Sequence, residues 1–317
     1  MRPHLAAQTS LPPLWSLDRV PGASVWLAHT EDGELVVLDD TLKVQRTVPL
    51  PSEWKGGHAV APDLSFVAAS GPDRVCVLDM TGRQVWSHPH SDWEFEESGS
   101  CVVTTDARGV WAVLRAGDTD HCVLFDAADG QVLRTAPLPS PTVGSELLPH
   151  PDGIHVGVAA GHGDDVYRVF LVASDGVGPA VEITPGDSRI LIDIQPGSGL
   201  MLTTPYGPGP LALLRSPDGG VVAARRPDPL FPGDDELFDF YAGFLGPDRV
   251  IAASSEQRHV VFSVPDLRPI AEVEYPDDAE RAWLVVRHDG TWVTADPDTG
   301  LVRLWHEATP GVFGHKG

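Results

Sequence analysis

Turn-forming clusters return along this 317-residue chain at a nearly constant interval, and that interval leaves few folds open. One series runs through Pro21-Gly22, Pro62-Asp63, Asp106 to Gly109, Pro151-Asp152-Gly153, Pro196 to Gly199, Pro247-Asp248 and Asp289-Gly290. Marked at Gly22, Asp63, Ala107, Asp152, Gly197, Pro247 and Asp289, the steps are 41, 44, 45, 45, 50 and 42 residues. A second series falls between them, at Asp39-Asp40, Thr81-Gly82, Asp129-Gly130, Asp175-Gly176, Pro217-Asp218-Gly219 and Pro265-Asp266. Gly, Asp and Asn accept positive φ and Pro presets the turn, so both series suit hairpins.

Between the turns lie apolar runs of five or six residues, such as 24–29, 35–39, 66–70, 75–79 and 169–173. They are rich in Val, Leu and aromatic residues and too short for helices of about ten to twelve residues. No stripe at i, i+3, i+4, i+7 stands out, so the chain reads as all-β. A repeat of about 40–45 residues with four strands in each is the pattern of a β-propeller. The expected fold is therefore a seven-bladed β-propeller of four antiparallel strands per blade, one domain over residues 1–317. Third strands are expected near residues 35–39, 74–79, 121–126, 166–172, 210–214, 259–264 and 301–305. The last repeat lacks a clear fourth strand, while Pro3 to Thr9 precedes the first inner strand, near Leu14 to Asp18, with no blade of its own. Pairing these leftovers lets the N-terminal strand complete the last blade and remove an exposed edge. Six full blades with frayed ends is the alternative.

Residue by residue, the second repeat resembles a degenerate WD40 blade. It has Gly57-His58, then Pro62-Asp63, Asp73 before a third strand ending Leu78-Asp79, and Thr81-Gly82. Leu78-Asp79 stands where the family has Trp-Asp. Looser matches are Leu124-Phe125-Asp126 before Asp129-Gly130, and Leu304-Trp305-His306. The resemblance implies a hydrogen-bond network joining His58 to Asp73. It implies the fold far more than any particular WD40 function.

Composition narrows the partners. With 22 Lys+Arg against 45 Asp+Glu the formal charge is −23. Phosphates must be met by excess basic side chains, so neither nucleic acid nor an anionic membrane is expected as partner. No run of 18 apolar residues is present, and the N-terminus lacks the apolar core of a signal peptide. Cys76, Cys101 and Cys122 are odd in number and lack CxxC spacing, which suits a reduced, cytoplasmic protein with buried thiols. Basic charge is mostly Arg, and with abundant Ala, Gly, Pro and Asp this suggests a GC-rich bacterial coding sequence.

In a propeller the loops entering the inner strands share a face with those between second and third strands. Here those loops are acidic and aromatic. Residues 88–97 carry Trp93, Glu94, Phe95, Glu96 and Glu97; residues 228–238 carry Phe231, Asp234 and Asp235; residues 275–280 carry Asp277 and Asp278; and 51–55 carries Trp54. Residues 161–165 are expected on the same face. Aromatic anchors ringed by charge suit a protein interface, and carboxylate with Trp also suits a cationic group. The plainer possibilities are a solvated acidic surface and rings of Trp93 and Phe95 tucked under their own loop. The remaining tryptophans, Trp15, Trp26, Trp86, Trp111, Trp283, Trp292 and Trp305, fall in expected strands and read as core.

His88 and His90, with Asp92 and Glu94, have ligand types for a transition metal, but no further ligand is fixed and no metal is expected. There is no GxSxG, P-loop, HExxH or dinucleotide fingerprint, and Gly161-His162-Gly163 is too short to cradle phosphate. No cofactor is expected. The leading expectation is a non-enzymatic scaffold binding another protein, a basic one, through the acidic, aromatic loop face. The alternative is a propeller hydrolase or lyase, or a small-molecule binder, at the channel mouth. Its candidate residues on inner strands are His58, Glu146, Asp193 and Arg281.

Overall fold

The computed structural model describes residues 1–51, 54, 56–93, 99–139, 142–162, 166–176, 178–184, 186–227, 230, 237–276 and 283–307. Within these, 28 strands form seven antiparallel sheets of four, six of them meanders of consecutive strands. Blade 1 spans 14–49, blade 2 58–89, blade 3 100–137, blade 4 144–182, blade 5 189–225 and blade 6 238–272. Blade 7 takes three strands from 283–307 and its outer strand from Pro3–Ser10. Seven blades and closure by the N-terminal strand are thus both as expected, and the third strands fall where the sequence placed them. The closing ladder runs from Pro3 opposite Glu307 to Ser10 opposite Leu301, with a bulge between Leu5 and Ala7. No helix among the described residues is long and apolar enough to cross a membrane.

The strands read as continuous apolar runs because both faces of each blade are covered. Successive side chains on a strand point to opposite faces. In blade 2, Val67 and Ala69 pack toward blade 1, while Ala68 between them packs toward blade 3. The same division holds around the ring: seven apolar clusters of described residues each fill the space between two neighbouring blades. Trp26, Trp292, Trp305, Phe125, Phe170, Phe244 and Phe262 are fully buried in or beside these layers. Trp86 and Trp111 are buried as well.

The periodic aspartates earn their place in the turns. Asp39 Oδ1 accepts from the Thr41 amide (2.8 Å), the Thr41 hydroxyl (2.7 Å) and the Lys43 amide (2.9 Å). Asp79 repeats the arrangement with Thr81 and Arg83. A carboxylate that accepts several N–H and O–H donors prefers its ionised form, and these contacts with Thr81 first among them hold the Asp79 carboxyl down at about 2.

Two expectations need correction. Asp73 does not reach His58: its carboxylate accepts from its neighbour Arg74 at 2.8 and 2.7 Å and is partly exposed. Blade 2 therefore lacks the network that the family resemblance implied. Trp15 is not core either, being 46 % exposed.

Candidate functional site

The seven inner strands run in the same direction around a central channel, so their first residues share what we call the upper face. The channel encloses a cavity of about 670 Å³. Its wall is shaped by bulges in three inner strands. In blade 1 Trp15 has no register partner, since Leu14 opposes Thr30 and Ser16 opposes His29. In blade 5 Ile192 is the extra residue. In blade 6 residues 239–241 stand between the paired Phe238 and Ala242, whose partners Ser254 and Ala252 are only two apart. A bulge re-aims side chains that the regular pleat would bury. Trp15, Ile192, Phe240 and Tyr241 all line the cavity as a result. Trp15 and Phe240, at 46 % and 43 % exposure, are among the most exposed large apolar residues on the inner strands.

Phe240 also begins an aromatic row. Its ring stacks on Tyr206 with centroids 5.7 Å apart and planes 6° apart, and Tyr206 lies 4.6 Å from Tyr167. The row crosses blades 6, 5 and 4 near the upper ends of their strands.

Below it lie the channel's carboxylates. Asp18 and Glu146 project from inner strands of blades 1 and 4 and line the same cavity. Both have surface open to the lumen, Asp18 with 57 % of its side chain accessible, yet protein surrounds them on most sides. That enclosure, followed by the charge of Asp18, pushes Glu146 up to about 7; burial likewise raises Asp18. Glu146 thus stands beside a second carboxylate, and no described residue forms an ion pair with it. His29 and His58 stand edge to face at 5.1 Å beside them. Burial pushes both imidazoles down to about 4, so they are neutral and give Asp18 no counter-charge, although His58 Nε2 is 3.9 Å from Asp18 Oδ2.

Toward the lower end the chemistry differs. Asp193 is buried, and its carboxylate accepts from Arg19, from the Ile194 amide (2.8 Å) and from the Phe244 amide (2.9 Å), with His288 Nε2 at 3.0 Å. Arg19 Nη1 also lies 2.8 Å from His288 Nε2. Gly243 permits this approach, because a Cβ there would sit 2.6 Å from that of Val286 and 3.4 Å from Asp193 Oδ2. Blades 1, 5, 6 and 7 meet at this one carboxylate. Burial opposes its charge, but Arg19, His288 and the Phe244 amide outweigh burial and hold its pKa below the usual carboxylate range.

The structure thus brings three of the four inner-strand candidates, His58, Glu146 and Asp193, to one channel; Arg281 lies outside the described residues. Of the expected loop-face residues, Glu94, Phe95, Glu96, Glu97, Phe231, Asp234, Asp235, Asp277 and Asp278 also lie outside them. The other two are described, and neither is presented to solvent. Trp54 is 8 % exposed, packed between blades 1 and 2. Trp93 is 6 % exposed in the layer between blades 3 and 4, and its ring face is taken by the Arg115 guanidinium at 4.6 Å. Arg115 is in turn held by Asp120 at 3.1 Å. His88 packs on Phe125, and His90 Nδ1 lies 2.8 Å from the Ser91 carbonyl oxygen. The residues that sequence reading missed are Trp15, Asp18, Phe240 and Tyr241.

The sequence matches no family model and no curated protein. Among solved structures, the β-propeller domain of Myceliophteria thermophila Cps50 (Swd1) superposes with a TM-score of 0.69 at 10 % identity, covering 96 % of this chain and 100 % of that one. At that identity the likeness concerns the fold. Together with the seven four-stranded sheets and the closing N-terminal strand, it makes this chain a seven-bladed β-propeller.

Proposed function

We propose that this propeller is a protein-interaction module that receives a basic segment of a partner protein at the upper mouth of its channel. The observation that carries the reading is the pairing of two under-compensated carboxylates, Asp18 and Glu146, with the exposed rings of Trp15 and Phe240 in one cavity. A Lys or Arg side chain entering there gains Coulomb attraction inside low-dielectric walls and an aromatic face to lie on. The acidic stretches 94–97, 234–236 and 277–280 immediately precede inner strands of blades 3, 6 and 7 in sequence. Their charge, with the overall −23, favours approach of a basic partner and disfavours nucleic acid and anionic membrane. In this reading Trp54 and Trp93 support the rim from beneath rather than touching the partner.

The test is binding of fluorescent Lys/Arg-rich peptides, with Asp/Glu-rich peptides as control. Glu146→Gln and Phe240→Ala are each expected to weaken binding about tenfold, some 1.4 kcal/mol. Raising salt is expected to slow association as charges are screened beyond about 8–10 Å. Basic peptides that do not bind, or that bind both variants unchanged, overturn the proposal.

A second reading, a hydrolase or lyase working in the same cavity, draws on one observation: burial and the neighbouring Asp18 charge push Glu146 up to about 7, a range suited to acid–base chemistry. Turnover of a small molecule that is lost in Glu146→Gln, with no affinity for basic peptides, would favour it.

A further inference from the structure

Away from the channel mouth, the turn between the first two strands of blade 4 carries a constellation that the binding reading does not use. His150 and His155 close the hairpin: the His150 amide donates to the His155 carbonyl at 3.0 Å, and the Gly153 amide to the His150 carbonyl at 3.1 Å. Their rings meet edge to face with centroids 5.8 Å apart. Asp152 folds back between them. Its Oδ1 accepts the amides of Ile154 (2.8 Å) and His155 (2.9 Å), which fixes the carboxylate rigidly. Oδ2 then lies 2.7 Å from His155 Nδ1, and Oδ1 lies 3.0 Å from His150 Nδ1. One ligand atom from each of the three side chains falls within 4.8 Å of the other two.

Turn formation accounts for the aspartate but not for the histidines. Asp63 and Asp289 sit at the equivalent turns of blades 2 and 7 and make the same local bonds, to Ser65 and Thr291. The residues flanking those turns are Ala61 and Phe66 in one, Arg287 and Thr291 in the other. Only blade 4 frames its turn aspartate with two imidazoles. His150, moreover, is in an awkward position as it stands. Nδ1 has a single in-plane site, and two groups face it: the Asp152 amide, a donor at 3.2 Å, and Asp152 Oδ1, an acceptor. Whichever tautomer is present, one of these contacts sets like against like. The ring is enclosed: its side chain is only 7 % exposed, and a Cβ added at Gly199 of blade 5 would stand 3.4 Å from Nε2.

We propose that His150, Asp152 and His155 form a binding site for a borderline divalent transition metal, with Zn²⁺ as the first candidate. Two imidazoles and one carboxylate suit such ions and not Mg²⁺ or Ca²⁺, which take oxygen ligands. Bonds of about 2.0–2.1 Å in a tetrahedral set place ligand atoms roughly 3.3 Å apart. The imidazole contacts, 2.7 Å at Oδ2 and 3.0 Å at Oδ1, fall on the two carboxylate oxygens, and with the three ligand atoms within 4.8 Å of one another, side-chain shifts of up to about 1.5 Å bring them to that separation. A cation there turns the opposed lone pairs of His150 Nδ1 and Asp152 Oδ1 into two ligands. The fourth position is left for water, since Asp152 and His155 are partly open to solvent. The site clamps one hairpin at a distance from the channel cluster, so its loss leaves peptide binding at the mouth intact.

The full-length protein is titrated with Co²⁺, reading the visible d–d absorption, and with Zn²⁺ by calorimetry. One equivalent is expected to bind, with affinity falling about tenfold or more in His155→Ala and in Asp152→Asn. Both variants spare the buried His150, and Asn keeps the Oδ1 acceptor on which the turn depends, so circular dichroism is expected to stay unchanged. His306→Ala, an exposed histidine elsewhere, is expected to bind like the parent. Absence of stoichiometric binding, or binding undiminished in both blade 4 variants, overturns the proposal.

Discussion

Glu146 and Asp193 are both carboxylates on inner strands, yet their neighbours assign them opposite work. Asp193 is satisfied by Arg19, His288 and two backbone amides, whereas Glu146 has an enclosing wall and a second carboxylate. The folded state therefore holds a proton on Glu146 more tightly than the unfolded chain does. Its folded pKa, about 7, exceeds the ordinary 4.5, so its contribution to stability is present below about 4.5 and lost as pH rises to about 7. His29 and His58 act the other way. Folded values near 4 against 6.5 mean that protonation destabilises the fold as pH falls from 6.5 toward 4. Glu146→Gln is accordingly expected to raise the melting temperature at pH 8 and leave it unchanged at pH 4.5. Lumen water screens the charge, so the gain is only about 1–2 °C. Differential scanning fluorimetry across pH checks this, and a gain of equal size at both pH values would contradict it. Glu146 was visible in the sequence as an inner-strand acid, but Trp15 and Phe240 were not. Strand alternation places Trp15 in the core, and a bulge of one residue leaves no mark in the pattern it displaces. Asp73 failed for another reason: a motif match says which residue type is present and nothing about whether its partner is within reach.

At the level of strands and blades, most of the architecture was legible because each turn advertises itself chemically. An Asp that accepts amides two and four residues on, as Asp39 and Asp79 do, is a local device and so survives in sequence. The closing strand was legible only by elimination, one strand too many at the start and one too few at the end. Its ladder pairs seven positions of Pro3–Ser10 with Leu301–Glu307, and Leu5 and Ala7 pack on the clusters flanking blade 7. Deleting residues 1–10 exposes the edge of the strand that carries Trp305 and uncouples blade 7 from its outer member. Ladder bonds at about 1 kcal/mol each make the loss several kcal/mol, or roughly 5 °C or more in melting temperature, with aggregation through the bared edge. An unchanged melting curve for the truncated chain would mean that the ring does not depend on this strand.

For the whole molecule the question is what makes seven separate sheets behave as one ring. The apolar layers couple each blade only to its neighbours, so in that respect the propeller is a closed chain of pairwise contacts. The Asp193 cluster is different, because it ties blade 5 to blades 6, 7 and 1 across the lower end of the channel. Replacing it by Asn keeps the volume and an acceptor for the Phe244 amide but removes the charge that Arg19 and His288 face. Breaking a buried ion pair by removing one partner costs about 3–5 kcal/mol, since the other charge is left behind. Asp193→Asn is therefore expected to lower the melting temperature by roughly 5 °C or more at pH 7. The sign with pH follows from the depressed folded pKa: Asp193 stabilises above the ordinary carboxylate value, and its contribution is lost as pH falls through the lower folded one. The gap between parent and variant should then narrow in acid, as for Glu146→Gln, but with the opposite sign: here the variant is the less stable protein at neutral pH. Because Asp193 lies below the mouth, a folded Asp193→Asn at low temperature is expected to bind basic peptides as the parent does. Loss of binding in that variant, with its fold intact, would show that the lower cluster takes part in recognition and that the two ends of the channel are not the separate devices their surroundings suggest.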